Sequence, residues 1–245
     1  MTETEQQNPS GVPEPASAFG RLVGTFFSPG ATFRSIAAKP GFLAPLIVWT
    51  LVSLGLYAAM APKFDYEKMI RQSIEKKGQT VPEDRIQSIV ATQKKIAPII
   101  GTCISLIAPT VVTLIVALVL WASFKAFGWD VRFKQAVGAT AHSYLPSVLG
   151  ALLLIPVVMQ RESVDPQAVG DLLRSNLGFL VEKTSSPALH SLLGSLDVFS
   201  IWTLILLSIG FAAAGRTSRK AAGGVVFTLW ALFVLGKAGL SALLG

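Results

Sequence analysis

The chain has 245 residues, of which 51% are hydrophobic and only 14% are charged. Soluble domains carry about 25% charged residues, and a soluble protein this apolar would expose large adhesive patches. The net charge of +7 raises the question of nucleic-acid binding, but the basic residues fall in short clusters between apolar runs. Such clusters are typical of topology signals and lipid-headgroup contacts. We therefore predict an integral membrane protein that binds membrane lipids and no nucleic acid.

The N-terminal region has two parts with different composition. Residues 1–17 are polar, acidic and proline-containing, which is typical of a disordered tail and unlike a cleavable signal peptide. Apolar residues then recur at helical spacing, at Phe19, Leu22, Val23, Phe26 and Phe27. This pattern predicts an amphipathic helix lying in the headgroup layer. The alternative is a helix packed on the protein's own surface.

The remaining chain, to residue 245, forms the predicted membrane domain. A spanning helix needs about 20 apolar residues. Five segments qualify, at about 42–61, 96–124, 144–159, 198–214 and 222–244. The third is short and contains Pro146, expected in its first turn, and Pro156, expected to kink it. We predict an all-α, polytopic membrane bundle of five transmembrane helices with interfacial amphipathic helices, the alternative being four spans with a re-entrant third segment.

Two longer segments, 62–95 and 161–195, are predicted to lie outside the membrane and to contain amphipathic helices. Thr80-Val81-Pro82-Glu83 fits a capping box that opens one of them. Asp165-Pro166 is expected to start a second helix with an apolar face from Val169 to Val181, and Ser186-Pro187 a third. These helices lie on the membrane, pack on each other or bind a partner.

The distribution of basic residues predicts the orientation. The loop from Lys125 to His142 and the loop from Gly215 to Ala221 are basic, as is the region after residue 17. These regions share one side, which positive-inside counting assigns to the cytoplasm. Lys94 and Lys95 argue the other way. We predict a cytoplasmic N terminus.

Asp197 and Lys237 are ionisable residues at the start of the fourth predicted span and inside the fifth. Both are equally far in sequence from the turn near Thr217, so antiparallel helices would bring them to equal depth. They are therefore candidates for an intramembrane ion pair, because an unpaired charge in hydrocarbon costs several kcal/mol. The alternative is that Asp197 caps a helix and Lys237 extends to the interface.

The sequence contains no pattern that predicts catalysis. His142 and His190 stand outside any zinc-binding motif, and no nucleophile-elbow or Walker loop is present. The lone Cys103 cannot form an intramolecular disulfide. We predict that the protein is not an enzyme, has no catalytic residue, and binds no metal or other cofactor.

Several motifs, in their order and spacing, resemble those of a known family. They are Phe27-Ser28-Pro29-Gly30-Ala31-Thr32-Phe33 with Lys39-Pro40 and Ala44-Pro45-Leu46, then Phe133-Lys134-Gln135-Ala136 before Tyr144-Leu145-Pro146, Leu196-Asp197-Val198-Phe199-Ser200-Ile201-Trp202 with Ile209-Gly210, and Ser218 with Lys220-Ala221. Together they resemble the Yip family, five-pass membrane proteins named for interaction with Ypt/Rab GTPases.

The resemblance implies five spans and a cytoplasmic N terminus. Eukaryotic members act in vesicle traffic and bind prenylated GTPases, but residues 1–17 here contain no recognisable GTPase-binding motif. Segment 62–95 is also longer than the family's usual first hairpin, and the chain resembles a bacterial-type member, in the bacterial cytoplasmic membrane.

Two functional hypotheses follow. The first is a non-enzymatic scaffold or adaptor in membrane organisation or trafficking-like processes, acting through a protein partner or as a homo-oligomer. The second is a transporter or channel component. The spans offer mainly serine, threonine and proline for a polar path, and such residues commonly bond within or between helices. We favour the scaffold.

Overall fold

The computed structural model describes residues 17–166, 169–182 and 185–244. Within these residues the regular structure is helical, and the one β-bridge joins Asn176 to Asp197. The α-helices are α1 (Ala18–Phe27), α2 (Pro29–Ala38), α3 (Leu43–Met60), α4 (Tyr66–Lys76), α5 (Glu83–Ala126), α6 (Phe133–Ser143), α7 (Leu145–Met159), α8 (Pro187–Ser195), α9 (Val198–Gly215) and α10 (Arg219–Leu244). The predicted disordered tail lies outside the described residues, except for Ser17.

Five helical units among the described residues are long and apolar enough to cross a membrane. They are α3 with the turn that follows it, α5, the pair α6–α7, α9 and α10. The predicted all-α membrane bundle is therefore confirmed. Alternation of the spans brings α1, α2 and the α5–α6 and α9–α10 turns to one end of the bundle, called here the N-terminal end. Helices α4 and α8 lie at the opposite end.

Helix α9 occupies the centre of the bundle and packs against α2, α6, α7 and α10. The core around it includes the fully buried rings of Phe33, Phe124 and Phe211. Gly210 permits this packing, since a Cβ there would lie 2.9 Å from Phe33 and 3.0 Å from Ala139. Lipid is as apolar as these side chains, so close van der Waals packing around small residues stabilises such a bundle.

A smaller apolar cluster closes the opposite end. It is formed by Met60, Leu154, Val158 and Val164. Beside it the Lys63 ammonium donates hydrogen bonds to the carbonyls of Met159, at 3.2 Å, and of Arg161. These bonds satisfy carbonyl groups at the C-terminal end of α7, where helical partners are missing. They join the end of the first span to the end of the third.

The third span is longer than predicted. The apolar run after Tyr144 forms α7, but α6 precedes it, and the two helices together cover Phe133–Met159. Pro146 lies in the first turn of α7, as expected. Its ring is incompatible with a continuous helix through this point, so α6 ends at Ser143 and the chain restarts at Leu145. Almost all of α6 is buried in the protein, so it can carry small and polar residues within a span. Because of those residues, the sequence did not predict α6 as part of a span.

The amphipathic helix expected after Thr80 is not a separate element. It is the first part of α5, which runs for 44 residues without interruption. The predicted capping box is wrong: Pro82 is the N-cap residue, no side chain caps the helix, and the Glu83 carboxylate binds Arg71 instead. Helix α4 packs against α5, with Ile86 and Val90 buried.

The helix expected from Asp165 to Val181 is also absent from the described residues. In its place are two single 3-10 turns, Val169–Asp171 and Gly178–Leu180, while Gln167 and Ala168 lie outside the described residues. Asn176 competes with a helix here, since its side chain donates to the Gly170 carbonyl and accepts from the Gly178 N–H. The expected helix after Ser186 is present as α8.

Candidate membrane-interface site

Helix α1 presents its apolar residues outward and its polar residues inward. Phe19, Val23 and Phe27 are exposed, with Phe27 at 83%, whereas Arg21 and Thr25 are buried. This is the reverse of the arrangement in a helix on a soluble protein, where the apolar face packs on the core. An outward apolar face at the end of a membrane bundle is suited to the boundary between headgroups and acyl chains.

Specific contacts hold α1 in this orientation. Arg21 is only 8% exposed, and its guanidinium donates a hydrogen bond to the Lys39 carbonyl at 2.8 Å, at the end of α2. The Thr25 hydroxyl donates to the Arg21 carbonyl at 2.7 Å. Gly24 brings α1 close to α2, since a Cβ there would overlap the Thr32 hydroxyl. The orientation of α1 therefore depends on the contact of Arg21 with the end of α2 and on the close approach at Gly24, and it leaves much of the apolar stripe exposed.

The two remaining predicted residues of the stripe point partly towards the bundle. Leu22 and Phe26 are half-buried. The Phe26 ring makes an edge-on contact with Trp202 of α9, with 5.5 Å between ring centroids. The predicted stripe is therefore divided, with three residues facing away from the protein and two contributing to packing. The placement of this helix in the headgroup layer remains a prediction.

The N-terminal end of the bundle is strongly basic. Its described charged residues are Arg21, Arg34, Lys39, Lys125, Arg132, Lys134, Arg216, Arg219 and Lys220, with Asp130 as the acidic one. Asp130 accepts a hydrogen bond from Lys125 at 2.8 Å, and this bond and the ammonium charge lower the pKa of the Asp130 carboxyl. Asp130 is therefore ionised at neutral pH and is paired locally. The opposite end carries acidic and basic residues in similar proportion.

Asp197 and Lys237 come to the same end of the bundle, but each has another partner. The Asp197 carboxylate accepts from the Ser200 backbone N–H at 2.9 Å, as the N-cap of α9, and from the Ser175 hydroxyl. Lys237 Nζ donates to the Ser195 hydroxyl at 3.1 Å. The ion pairs formed among the described residues do not include these two. The geometry matches the capping alternative.

Polar groups inside the spans are mostly satisfied by their own helix. The hydroxyls of Thr113, Ser143 and Ser208 each donate to the carbonyl four residues earlier. The buried His142 ring bonds the Gly138 carbonyl at 2.9 Å in the same way. Such bonds leave little polar surface for a solute. Sequence reasoning did not anticipate that His142 would be buried, because α6 was not identified as part of a span.

A cavity of about 510 Å³ lies between α5, α7, α9 and α10. Its lining is apolar apart from a few hydroxyls, among them Ser147 and Thr203, which hydrogen-bond each other at 2.9 Å. No charged residue lines it. Moving an ion or a polar solute there would remove water without supplying polar groups in its place.

The opposite end carries a helical hairpin formed by α4 and the first part of α5. Arg71 of α4 binds Glu67 at 2.8 Å and Glu83 of α5 at 2.6 Å. Hydrogen bonds from Arg71, first to Glu83 and then to Glu67, raise the pKa of its guanidinium. Elsewhere at this end the His190 ring lies 3.5 Å from an Asp171 carboxylate oxygen. No group of three or more potential metal-binding side chains occurs within the part of the chain that the structure describes.

A bundle of five span-length helices, with a reversed amphipathic helix at one end and a charged hairpin at the other, defines a polytopic helical membrane protein. The family model of the Yip1 domain matches residues 23–240, and the chain belongs to this family. The predicted resemblance is thereby confirmed. The chain is also similar to "Membrane protein YknW" of Bacillus subtilis (strain 168), with 27% identity over 214 residues that cover 87% of each chain. That relative agrees with a bacterial-type member. No solved structure matches the chain.

Proposed function

We propose that this chain is a non-enzymatic membrane scaffold or adaptor of a bacterial cytoplasmic membrane. It is anchored by its five spans, contacts the headgroup layer through α1, and presents the α4–α5 hairpin to a protein partner. The outward apolar face of α1 carries the proposal. The buried Arg21 holds this helix to the bundle, while Phe19 and Phe27 remain exposed. Such a helix is suited to contact lipid.

The hairpin at the opposite end supports the adaptor role. Thirteen residues of α5 precede Ile96, so at 1.5 Å per residue the helix extends about 20 Å beyond the predicted membrane boundary. The contact of Arg71 with Glu83 joins α4 to this part of α5. Exposed charges on α5, including Lys94 and Lys95, then form a rigid surface of the kind that protein partners recognise.

The proposal includes a cytoplasmic N terminus. The basic residues at the N-terminal end outnumber the acidic ones by far, whereas the opposite end is nearly balanced. Basic residues close to span ends favour the cytoplasmic side. The hairpin then lies on the outer face of the membrane, where its partner is expected.

The alternative of a transporter or channel component has less support. The cavity between α5, α7, α9 and α10 has an apolar lining without charge. Self-satisfied hydroxyls in the spans add no polar path through the described bundle. A scaffold has no need of such a path.

The test is purification of the tagged protein from its own host in lipid-preserving particles, with mass spectrometry of what accompanies it. We expect a partner at fixed stoichiometry, which the hairpin variant K94E/K95E loses. The matched control K39E/K134E reverses two exposed charges at the other end and retains the partner. A protein that purifies without a stoichiometric partner and conducts solutes in proteoliposomes would overturn the proposal.

A further inference from the structure

Two arginines from different helices converge at the start of α2. A Cβ on Gly30 would lie 2.8 Å from Arg219 Nη2 and 3.7 Å from Arg34 Nη1. Both guanidinium groups therefore approach one point beside the Gly30 backbone, one from α2 and the other from the first residue of α10. The missing side chain at Gly30 is what leaves room for Arg219.

Within the part of the chain that the structure describes, this arginine pair has no carboxylate partner. Among the described residues, the ion pairs are formed by Arg71, Lys125 and His190, and neither Arg34 nor Arg219 takes part in one. Asp130, the described acidic residue at this end, is already paired with Lys125. Two like charges brought together repel each other, and an anion between them reverses the sign of that interaction.

The position of the pair selects the kind of anion. Phe27 lies three residues before Gly30 and is 83% exposed, with its ring on the face of α1 that contacts lipid in our proposal. Arg219 begins the fifth span. With α1 in the headgroup layer, as proposed above, the guanidinium groups lie where a span meets that layer, at the level of lipid phosphates. Planar guanidinium groups bind phosphate oxygens in pairs, and arginine is favoured over lysine for this geometry.

We propose that Arg34 and Arg219 form a binding site for the phosphate of one anionic phospholipid. Gly30 lies at the base of this site, and the lipid's acyl chains lie beside the exposed face of α1. The inference goes beyond the scaffold function and does not depend on the hairpin having a partner. It assigns a lipid ligand to residues that the family match does not assign.

The test compares lipid retention by native mass spectrometry after reconstitution in nanodiscs of phosphatidylglycerol and phosphatidylcholine. We expect the wild-type protein to retain phosphatidylglycerol with a preference of about tenfold or more, since each arginine near the surface contributes attraction. R34A/R219A reduces the preference to that of a zwitterionic lipid, and R34K/R219K restores only part of it. The control K39A/K134A removes two charges at the same end and keeps the preference within about twofold.

A further variant separates geometry from charge. Gly30→Ala keeps every charge but places a methyl group in the space of the Arg219 guanidinium, whose flexible side chain can move away without unfolding the bundle. We expect an unchanged melting temperature in phosphatidylcholine nanodiscs and a weaker preference for phosphatidylglycerol. Equal losses in R34A/R219A and K39A/K134A would overturn the site in favour of diffuse attraction. Displacement of the lipid by millimolar inorganic phosphate would overturn the lipid as its ligand.

The remaining outcome of the test concerns the glutamates of residues 1–16, which are alternative anions for the arginine pair. If wild-type protein shows no preference and the variant E3Q/E5Q/E14Q acquires one, the tail occupies the arginine pair and the lipid site as proposed is wrong. A wild-type preference that the variant E3Q/E5Q/E14Q leaves unchanged supports the proposal, and the absence of a preference in both proteins overturns it. Neither result bears on the partner of the α4–α5 hairpin, so the failure of this inference is distinguishable from failure of the proposed function.

Discussion

The ring of Tyr57 in α3 lies directly over Gly101 in α5, so that any Cβ at Gly101 would overlap the ring. The Tyr57 hydroxyl donates a hydrogen bond to the Ala97 carbonyl, one turn earlier in α5, at 3.0 Å. A single aromatic residue thus joins the first span to the second by shape and by a polar contact. The first half of the apolar part of α5, residues 96–107, is otherwise largely exposed, which makes this contact important for its position.

We expect Gly101→Ala to destabilise the protein by about 1–3 kcal/mol, because the Tyr57 ring must move aside and give up its hydrogen bond. Tyr57→Phe, which removes only the hydroxyl, costs about 0.5–1.5 kcal/mol. Unfolding in nanodiscs of one lipid composition, followed by tryptophan fluorescence, measures both. The control is Gly236→Ala in α10, where a Cβ meets nothing within 4 Å. Equal stability of Gly101→Ala and this control would contradict the contact.

Chemical labelling along α5 tests where the membrane lies. Cys103 is exposed among isoleucines, so we expect it to face lipid and to resist a membrane-impermeant maleimide until detergent is added. Ser88→Cys, in a Cys103→Ser background, lies about 22 Å further along the helix and should react readily in water. Ala126→Cys at the other end should react from the opposite side. Reaction of Cys103 in intact membranes would show that this part of α5 is in contact with water.

The same labelling tests orientation in intact cells. With a cytoplasmic N terminus, Ser88→Cys reacts with an impermeant reagent added outside, whereas Ala126→Cys reacts only after the membrane is permeabilised. The physical reason is the excess of basic residues at the end of the bundle that contains Ala126. The reverse pattern would place the N terminus outside.

Spin labels test the depth of α1. Nitroxides at Phe19→Cys and Phe27→Cys are expected to be accessible to oxygen and protected from a water-soluble nickel complex, at about 5–10 Å below the headgroups. A nitroxide at Lys220→Cys, exposed in the first turn of α10, is the aqueous control. Equal nickel accessibility at all three positions would show that the exposed face of α1 does not contact lipid.

Substitutions at Asp197 distinguish a helix cap from an ion pair. Asp197→Asn keeps an oxygen for the Ser200 N–H and should be nearly neutral, while Asp197→Ala costs about 0.5–2 kcal/mol. Lys237→Met should change stability little, since its bond to Ser195 is exposed. A double-mutant cycle measures the coupling between positions 197 and 237. A coupling above about 1 kcal/mol, with Asp197→Asn as harmful as Asp197→Ala, would reinstate the ion pair.

Local pattern predicted some elements well and failed at others for identifiable reasons. The apolar runs identified the spans because lipid demands continuous apolar helices. The break at Lys94 and Lys95 led to a separate extramembrane helix, whereas α5 passes through both residues, since backbone hydrogen bonds continue across a change of solvent. Leucines at helical spacing near Leu172 suggested a helix, but Asn176 binds the backbone there instead. A sequence pattern reports helical periodicity but does not report the competition of a side chain for backbone hydrogen bonds.

The sequence by itself determined that the chain is a five-span helical membrane protein with a basic N-terminal end, because hydrophobic length and charge placement are properties of single segments. Its motifs also indicated the family that the comparison then established. Only the tertiary structure decided which way α1 faces and which partners Asp197 takes, and it alone brought Arg34 and Arg219 together at Gly30. These are relations between segments far apart in the chain, and they depend on how the helices pack.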